Sequence, residues 1–541
     1  ARMAPVTGVA LRDPSGWRLL GRPMRRLDMV AKSTGTARFG IDRAEAGMLH
    51  ATVLTNPAPG GDVVGYDAAA AEAMRGVVAV VPVTGGVAVV ADNTWRAFRA
   101  AEEIAVEWGG PPFPPDQADH WRIVSESFTA DRQDSRLRDD GDIEAALAEG
   151  ADVEAAYRAP YLAHAPLEPV GATVRVTEGR VDVWTGTQIP RLVQRNVAQI
   201  TGHDAGQVHV HVEIVGGSFG RRLEDGHVRR AAEVAMALPG RAVKVTWRRE
   251  GDMAQDAPRQ IAVARGRGRV TAGRVEAIDL AIAMPSVTAS QMERQGLSVP
   301  GADPAIVFGA FDQPFAVPHA RVTGYRAPPL APVGAWRAVG ASTNVFFHES
   351  LMDELIAAAG ADPLQERLRL CHHAPSRAVL EAVGEMCGWA GRDIGPGRGR
   401  GLAFGLSFGV PVAEVVDVTL TDRGLRVDDV WVAAEVGRVL DPETFVRQVE
   451  GGVIWALGHA IAAETTFAGG RAEQVNYDTY PAMRIGQAPR VHVRALEGGE
   501  PVRGIGEPMV PPAAPALAAA VFAATGERLR EMPFRKAMAF V

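Results

Sequence analysis

The chain of 541 residues is long enough for several domains, and 47% apolar and 22% charged residues are typical of a globular protein. A formal net charge of −7, without any basic stripe, argues against nucleic acid as a partner. The two cysteines, Cys371 and Cys387, are too few for a disulfide framework or for an iron–sulfur cluster within this chain. No apolar stretch reaches the ~20 residues that span a bilayer, which predicts a soluble protein and leaves cytoplasm and periplasm open, with a slight preference for the periplasm.

Short strands and helices alternate in the first part of the chain. After a polar extension over residues 1–16, branched apolar runs such as Val77–Val81 predict strands, and a helix is predicted from Thr94 to Ile104 behind an Asp-Asn cap. Residues 17–110 are therefore interpreted as a small α/β domain. A proline-rich run then opens the segment 111–151, which is predicted to be a linker between domains.

The region 152–390 contains one unit with clear local signals. A valine-rich hairpin ends at Gln188, and Pro190 opens a helix. That helix is predicted to stop at Gly202, and an alternating strand follows over 208–215. The unit is thus interpreted as strand, glutamine, helix and strand, leading into a glycine-rich loop.

The last region, 391–541, begins with a run rich in Gly, Arg and Pro that predicts a boundary. A hairpin is predicted to turn at residues 422–424. Glu507 lies between a glycine and a proline, shortly before a helix predicted from Pro512 to Gly526. No repeat of the length found in solenoid proteins is evident.

The glycine-rich loop, Gly216-Gly217-Ser218-Phe219-Gly220-Arg221-Arg222, directly follows the strand 208–215. Its glycines leave backbone N–H groups open to an anion, because no Cβ blocks the approach. Arg221 and Arg222 add planar, charged groups that suit phosphate. The sequence therefore predicts an anion site here, and a tight strand-to-helix bend is the alternative.

Five segments, in this order along the chain, resemble the molybdenum hydroxylases, the family of xanthine dehydrogenase and aldehyde oxidoreductase. Among its branches the resemblance is strongest to the large subunit of isoquinoline 1-oxidoreductase. The segments are Ala163–Pro169, similar to the family's H-A-P-M-E-P; the unit around Gln188; the loop Gly216–Arg222; Val333–Gly340, similar to P-V-G-W-W-R-S-V-G; and Gly504–Pro508, similar to G-V-G-E-P. The resemblance extends over nearly the whole chain, from Gly16 to Phe534.

This resemblance implies an α+β fold, with a small α/β hammerhead domain over 17–110 followed by a large mixed α/β molybdopterin-binding region. That region would have a first part, 152–390, and a second part, 391–541, which carries the catalytic glutamate. The implied activity is oxidation of an aldehyde or an N-heteroaromatic carbon, with water as the oxygen donor. The implied cofactor is molybdopterin, as the cytosine dinucleotide, whose dithiolene sulfurs hold the molybdenum, so that no side chain is expected to bind the metal. The loop Gly216–Arg222 and Gly506 would contact this cofactor.

The resemblance also implies roles for single residues. Glu507 is the expected catalytic base, and a carboxylate favoured by the dipole of the following helix is the alternative. Gln188 is expected to donate a hydrogen bond to a molybdenum oxygen, and Arg337 to orient substrate or to stabilise developing negative charge. Trp336 is expected to line the substrate pocket, with core packing as the alternative. The joint presence of Gln188, Arg337 and Glu507 favours an enzyme over a degenerate assembly subunit that keeps the fold without the cofactor.

Two further groups of side chains could carry chemistry. His209, His211 and Glu213 lie on one face of a strand with a spacing that suits zinc, although the polar side of an alternating strand is the commoner reason for such a pattern. His164 and Glu168 are interpreted as a structural hydrogen-bonded pair near the cofactor, with a proton-transferring pair as the alternative.

Two departures from the family pattern remain. Ser218 stands where the loop commonly has a glycine, which a turn with negative φ tolerates. The chain also lacks a Met-Gly-Gln-Gly sequence, which in the family belongs to a further N-terminal region that binds the pterin nucleotide. A separate chain or a cleaved fragment is therefore expected to supply that region. Electrons are expected to pass to a subunit with two [2Fe–2S] clusters and then to a cytochrome c.

Overall fold

The computed structural model of the chain describes residues 6–498 and 501–541. The helices, numbered in chain order, are α1 (Met29–Ser33), α2 (Ala69–Glu72), α3 (Thr94–Ala101), α4 (Gln117–Ser125), α5 (Ile143–Ala146), α6 (Pro190–Thr201), α7 (Gly226–Met236), α8 (Arg249–Ala254), α9 (Val287–Arg294), α10 (Ala341–Ala358), α11 (Pro363–Leu370), α12 (Ala374–Cys387), α13 (Pro442–Ala462) and α14 (Val510–Thr525). The strands are β1 (Leu49–Thr55), β2 (Val63–Asp67), β3 (Val77–Val83), β4 (Gly86–Ala91), β5 (Ala105–Trp108), β6 (Gln133–Asp140), β7 (Val153–Ala159), β8 (Gly171–Thr177), β9 (Arg180–Thr185), β10 (Val208–Val212), β11 (Ala242–Thr246), β12 (Ala262–Thr271), β13 (Arg274–Met284), β14 (His319–Arg326), β15 (Arg398–Ser407), β16 (Val410–Thr421), β17 (Gly424–Glu435), β18 (Phe467–Ala468), β19 (Arg471–Ala472) and β20 (Arg490–Leu496). These helices and mixed sheets confirm the predicted α+β class.

A seven-stranded sheet joins the N-terminal part of the chain to the region that follows it. Its strand order is β10-β9-β8-β11-β1-β4-β3, so that strands from 17–110 and from 152–390 lie in one sheet. The junction is a parallel pair in which Leu49 of β1 lies opposite Val243 of β11. Valines of these strands pack against α6 and α7 and form one apolar core. The boundary near residue 110 stays a prediction, but this sheet extends across it.

The segment 111–151 is folded, and the prediction of a linker is wrong for most of it. It contains α4, β6 and α5. Strand β6 pairs antiparallel with β14 and forms one edge of a five-stranded sheet of order β6-β14-β13-β12-β7. Ile143 and Leu147 pack against Ala277 of β13. The proline run is locally stiff, but the residues after it are ordered by strands that lie far away in the chain.

A four-stranded sheet of order β15-β16-β17-β20 carries the last part of the chain. Helix α14 lies very close to β15, because a Cβ added at Gly399 or Gly401 would overlap backbone atoms of the helix. The small side chains of this alanine-rich helix allow the same close approach from the other side. This packing places the start of α14, and Glu507 just before it, at a defined position on the sheet.

Two parts of the fold repeat one arrangement. The first unit comprises β8, β9, α6, β10, α7 and β11, and the second unit comprises β16, β17, α13, β20, α14 and β15. In each unit an antiparallel hairpin leads through a helix to a strand that is parallel to the second hairpin strand. A loop then leads into a second helix, and the strand orders correspond, β10-β9-β8-β11 and β20-β17-β16-β15. The closing strand differs in its place in the chain, since β11 follows the rest of its unit and β15 precedes it.

The local start and stop signals are confirmed at several helix ends. The helix predicted after Pro190 is α6, and it ends at Gly202 with a φ of 71°. Helix α14 ends in the same way at Gly526, where φ is 77°. The strand predicted over 208–215 is shorter, because β10 ends at Val212. In the part of the chain that the structure describes, none of the helices combines the length and the apolar character needed to cross a membrane.

Candidate active site

The glycine-rich loop, residues 216–222, leaves β10 of the first unit and lies against a second loop. Its backbone is left-handed at Phe219 and Gly220, with φ of 57° and 111°. This conformation is strained for Phe219, which has a Cβ. A Cβ added at Gly220 would overlap the carbonyl oxygen of Ala335 and lie 2.8 Å from its carbon. Glycine is required there because the loop lies directly on the segment that carries Arg337.

Gln188 follows β9, where the first unit turns into α6. Its backbone N–H donates to the Arg222 carbonyl at 3.0 Å, and its side-chain Oε1 accepts a hydrogen bond from the Ser218 hydroxyl. Because Oε1 is used in this way, the Nε2 group of the exposed Gln188 side chain remains as a donor. The structure therefore brings Gln188 and the glycine-rich loop together, although 30 residues separate Gln188 from Ser218.

The two arginines of the loop are buried and paired with carboxylates. Arg222 Nη2 lies 2.9 Å from Glu168 Oε2. Arg221 Nη2 lies 3.0 Å from Asp252, and its Nε lies 3.3 Å from Asp256. Burial lowers the pKa of Arg222, whereas the two aspartates outweigh burial and raise the pKa of Arg221.

These pairs correct the expected role of the arginine side chains. The guanidinium groups are used inside the protein, where they pair with carboxylates and hold the loop in place. The sequence pattern suggested otherwise because the paired carboxylates lie far from the loop in the chain. Contact of the loop's backbone with a cofactor stays a prediction.

Arg337 and Glu507 meet across two loops. Arg337 Nε donates to the Gly506 carbonyl at 2.8 Å, and the backbone N–H of Ala338 donates to Glu507 Oε1 at 3.1 Å. Ala338 and Val339 both take positive φ values, 73° and 46°, which strains residues that carry a Cβ. Burial lowers the pKa of Arg337, and the Glu507 carboxylate opposes this shift. The strained turn thus holds the arginine and the carboxylate side by side.

Glu507 does not cap the helix that follows it. Helix α14 has Met509 at its N-cap and no side-chain cap, and the Glu507 carbonyl accepts from the Val510 N–H at 2.9 Å. The half-buried carboxylate is bonded to Ala338 in the neighbouring loop instead. This geometry argues against the helix-dipole alternative and leaves the second carboxylate oxygen, Oε2, available to a proton.

Trp336 is buried in an aromatic stack, which favours the core-packing alternative, and its place in the substrate pocket stays a prediction. Only 2% of it is exposed, and its ring centroid lies 4.1 Å from that of Trp455. Its Nε1 donates to the Ala163 carbonyl at 3.2 Å. Half-buried Trp455 of α13 contacts Phe219, with 5.2 Å between ring centroids, and lies 5.3 Å from the guanidinium of Arg337. Trp455 escapes sequence reasoning because nothing local distinguishes it from other apolar residues of its helix.

Gln448 of α13 is a second residue that sequence reasoning does not find. Its Nε2 donates to the Gly506 carbonyl at 3.4 Å, beside Arg337 Nε on the same oxygen. No motif marks this glutamine. Its partner Gly506 lies 58 residues away in the chain, so no local signal could have found it.

His164 and Glu168 do not form the predicted pair. His164 Nδ1 lies 2.8 Å from Asp256 Oδ1, whereas Glu168 binds Arg222 and the backbone N–H of Gly216. The two side chains are structural, as predicted, but each has a different partner. The four-residue spacing does not bring them together because this segment is not helical.

Two of the three side chains that suggested a zinc site pair with other side chains of the protein. His211 Nε2 lies 2.9 Å from Asp182, and Glu213 lies 3.6 Å from Arg43 Nη1. Within residues 6–498 and 501–541, no group of three or more His, Cys, Asp or Glu side chains is arranged to hold a metal ion. The polar side of an alternating strand is therefore the better interpretation of this pattern.

Family models match most of the chain. Residues 128–370 and residues 352–489 each match a molybdopterin cofactor-binding domain. The chain is 30% identical over 561 residues to the beta subunit of isoquinoline 1-oxidoreductase from Brevundimonas diminuta, a match that covers 99% of this chain and 71% of that protein. It is also 30% identical over 564 residues to a subunit of the nicotinate dehydrogenase from Pseudomonas putida, with 97% of this chain and 46% of that protein covered.

Solved structures share the fold at low sequence identity. Quinoline 2-oxidoreductase from Pseudomonas putida 86 superposes with a TM-score of 0.77 at 16% identity, over 96% of this chain and 97% of that chain. The aldehyde oxidoreductase from Desulfovibrio desulfuricans gives a TM-score of 0.78 at 15% identity, over 97% of this chain and 81% of that chain. The two cofactor-binding domain models and the match to the isoquinoline 1-oxidoreductase subunit over 99% of this chain show that the chain belongs to the molybdenum hydroxylases, a family of molybdopterin-binding oxidoreductases.

Proposed function

We propose that this chain is the catalytic molybdopterin-binding subunit of an enzyme that oxidises an aldehyde or an N-heteroaromatic carbon, with water as the oxygen donor. One observation carries the proposal. The loop of the Arg337–Glu507 pair lies in contact with the loop that binds Gln188, through Ala335 against Gly220. A base, a cation and an exposed amide donor are thereby held in one continuous set of contacts.

The residues at this place fit the cofactor. Gly220 lets the loop lie directly on the Ala335 carbonyl, and Gly217 takes a positive φ of 106°, so that the loop forms a tight turn whose backbone N–H groups would approach a pterin or a phosphate. The exposed amide of Gln188 is a hydrogen-bond donor of the kind that an oxygen on the metal accepts. When bound, the cofactor supplies a molybdenum centre that takes two electrons from the substrate carbon.

Glu507 is the base in this proposal. Its Oε1 is held by the Ala338 N–H, so that the carboxylate is fixed in orientation and Oε2 can accept a proton. Arg337 fixes the loop on which Glu507 lies, through the Gly506 carbonyl. Its remaining N–H groups can stabilise negative charge as it develops on the substrate.

The dinucleotide form of the cofactor and the partner subunits also belong to the proposal. Each turnover leaves two electrons on the enzyme, and the two cysteines of this chain, Cys371 and Cys387, are too few to hold an iron–sulfur cluster. A separate subunit with two [2Fe–2S] clusters, followed by a cytochrome c, would accept the electrons. The chain spans about half the length of the nicotinate dehydrogenase relative. A region with a Met-Gly-Gln-Gly sequence, which these 541 residues lack, would complete the nucleotide site.

The substitution Glu507→Gln tests the proposal in the complex purified from its source. The amide has the same shape but cannot take the proton, so turnover of an aromatic aldehyde or N-heterocycle with an artificial acceptor should fall by roughly 10²–10⁴-fold. Molybdenum content should stay near one atom per chain. Glu527→Gln is the matched control, because Glu527 is exposed just beyond the other end of α14 and its loss should leave turnover unchanged.

Two results would contradict the proposal. Turnover of the Glu507→Gln variant within about threefold of wild type would exclude Glu507 as the base. A complex without molybdenum, from a cell that makes the cofactor, would favour the degenerate assembly subunit. Native mass spectrometry of the same preparation should show this chain in complex with the iron–sulfur subunit.

A further inference from the structure

His164 is a buried histidine that lies between the two loops of the site. Its Nδ1 lies 2.8 Å from Asp256 Oδ1, and its own backbone N–H donates to Asp256 Oδ2 at 2.7 Å. Its Nε2 lies 3.0 Å from the carbonyl oxygen of Ala335. Only 1% of the residue is exposed, so water does not replace either contact. The imidazole ring therefore bridges an aspartate on one side and a main-chain carbonyl on the other.

Both partners of this ring accept hydrogen bonds. Asp256 presents a carboxylate oxygen to Nδ1 and Ala335 presents a carbonyl oxygen to Nε2, so each ring nitrogen of His164 is placed to donate. Burial by itself would raise the pKa of Asp256, but the facing His164 and Arg221 outweigh it and keep that pKa below its ordinary value. The Asp256 carboxylate is thus paired with His164 and Arg221 inside the protein.

The Ala335 carbonyl that His164 binds occupies a space that only glycine leaves open. A Cβ added at Gly220 would overlap this oxygen and would lie 2.9 Å from His164 Nε2. Arg221, the next residue in the loop, contacts Asp256 at 3.3 Å. Two residues of the glycine-rich loop are therefore connected to His164. Gly220 packs against the Ala335 carbonyl that His164 binds, and Arg221 binds the Asp256 carboxylate that His164 also binds.

We propose that His164 is a positioning residue that sets the register between the glycine-rich loop and the loop carrying Arg337. Its Nε2–H holds Ala335 against Gly220, and its Nδ1–H holds the aspartate that binds Arg221. Loss of the Nε2–H would let the Arg337 segment move relative to Phe219. The consequence for catalysis rests on the proposed function, whereas the register of the two loops does not.

Two amide substitutions separate the two donors. In His164→Gln the side-chain N–H₂ can reach the Ala335 carbonyl, and in His164→Asn it can reach only Asp256. Hydrogen exchange of the chain without cofactor should then increase about tenfold over 333–340 and 216–222 in the Asn variant, as expected for one lost buried hydrogen bond. The Gln variant should stay within about threefold of wild type over 333–340. In the purified complex, molybdenum content should follow the same order.

His120→Asn is the matched control. His120 is equally buried, and its Nε2 lies 2.7 Å from the Pro114 carbonyl rather than from a carbonyl of either loop. Its substitution should leave exchange over 333–340 unchanged.

Equal exchange in the Gln and Asn variants, or a rise spread evenly over the whole chain, would overturn the proposal, because a residue that only fills space does not distinguish the two donors. If the Asn variant does not fold, His164→Leu replaces it, and exchange over 333–340 equal to that of the Gln variant would again overturn the proposal. Failure of the Glu507→Gln test would remove the proposed function and leave this result intact.

Discussion

The first and second units share one topology, but different interactions hold the glycine-rich loop of the first and the Glu507 loop of the second in place. In the first unit the loop lies over buried charges, with Arg221 and Arg222 paired to carboxylates. In the second unit the Glu507 loop is held by Arg337 through the Gly506 carbonyl and by the Ala338 N–H, and α14 is set by backbone packing on Gly399 and Gly401. In the proposed function, the repeated backbone thus carries one loop that holds the cofactor and one loop that presents the base.

The two units also differ at the residue before the first helix. Both helices begin with proline, Pro190 in α6 and Pro442 in α13. Before Pro442, the Asp441 side chain accepts from the Thr444 N–H at 3.1 Å and caps its own helix. In the first unit the residue directly before the helix is Ile189, which makes no side-chain cap, and Gln188, one residue earlier, is exposed. The entry to the first helix therefore serves stability in one unit and, in the proposed function, the cofactor in the other.

The largest expected effect is on the charges beneath the first loop. Glu168→Gln leaves Arg222, which is 2% exposed, without a charged partner. Breaking a buried pair in this way typically costs about 3–5 kcal/mol, so the free energy of unfolding measured in urea should fall by that amount. Glu149→Gln, which removes an exposed partner of Arg269, should cost less than about 1 kcal/mol. Equal costs would show that the first loop does not depend on buried charge.

Asp256→Asn should give a difference that depends on pH. The folded pKa of Asp256 is depressed, so its stabilisation is fully present above its ordinary pKa of 3.8 and is lost as the pH falls through the folded value. The variant should be about 3 kcal/mol less stable than wild type at neutral pH. This difference in stability between wild type and variant, measured by thermal unfolding, should disappear below about pH 4. A gap that stays constant down to about pH 2 would contradict the charged pair.

Gly220→Ala tests the contact between the two loops. The new methyl group would overlap the Ala335 carbonyl at a position with φ of 111°, which should cost about 2–3 kcal/mol through overpacking and strain. Gly202→Ala has a positive φ but open space around it, so it should cost only about 1 kcal/mol. The Gly220 variant should also purify with little molybdenum. If the variant keeps its full molybdenum content although the loop is displaced, cofactor binding does not depend on the contact between Gly220 and Ala335.

The smallest stability effect distinguishes the two residues that precede the first helices. Asp441→Ala removes an N-cap and should lower the free energy of unfolding by about 1 kcal/mol, with turnover unchanged. Gln188→Ala should leave stability within about 0.5 kcal/mol, because the side chain is exposed, but should lower turnover. The measurements are urea unfolding and steady-state rates of both variants. A loss of turnover in Asp441→Ala together with a loss of stability in Gln188→Ala would refute the division of roles between the units.

Local signals predicted much of the secondary structure and the segments of the site. The stops at Gly202 and Gly526 follow from glycine's access to positive φ, and the start of α6 follows from Pro190. The glycines of the loop were recognisable because close backbone approach needs a residue without Cβ. The linker over 111–151 was wrong, since β6 within it is ordered by β14, which is distant in the chain.

The sequence by itself determined the α+β class, the family and the residues of the five segments, because each is encoded by a local pattern of glycine, proline and alternating apolar side chains. The tertiary structure decided which of these residues meet and which are used internally. It buried Arg221 and Trp336, bonded the Glu507 carboxylate to the backbone of Ala338, and brought Trp455 and Gln448 to the site. These outcomes depend on partners far apart in the chain, and burial, charge pairing and register arise only when the two units pack together.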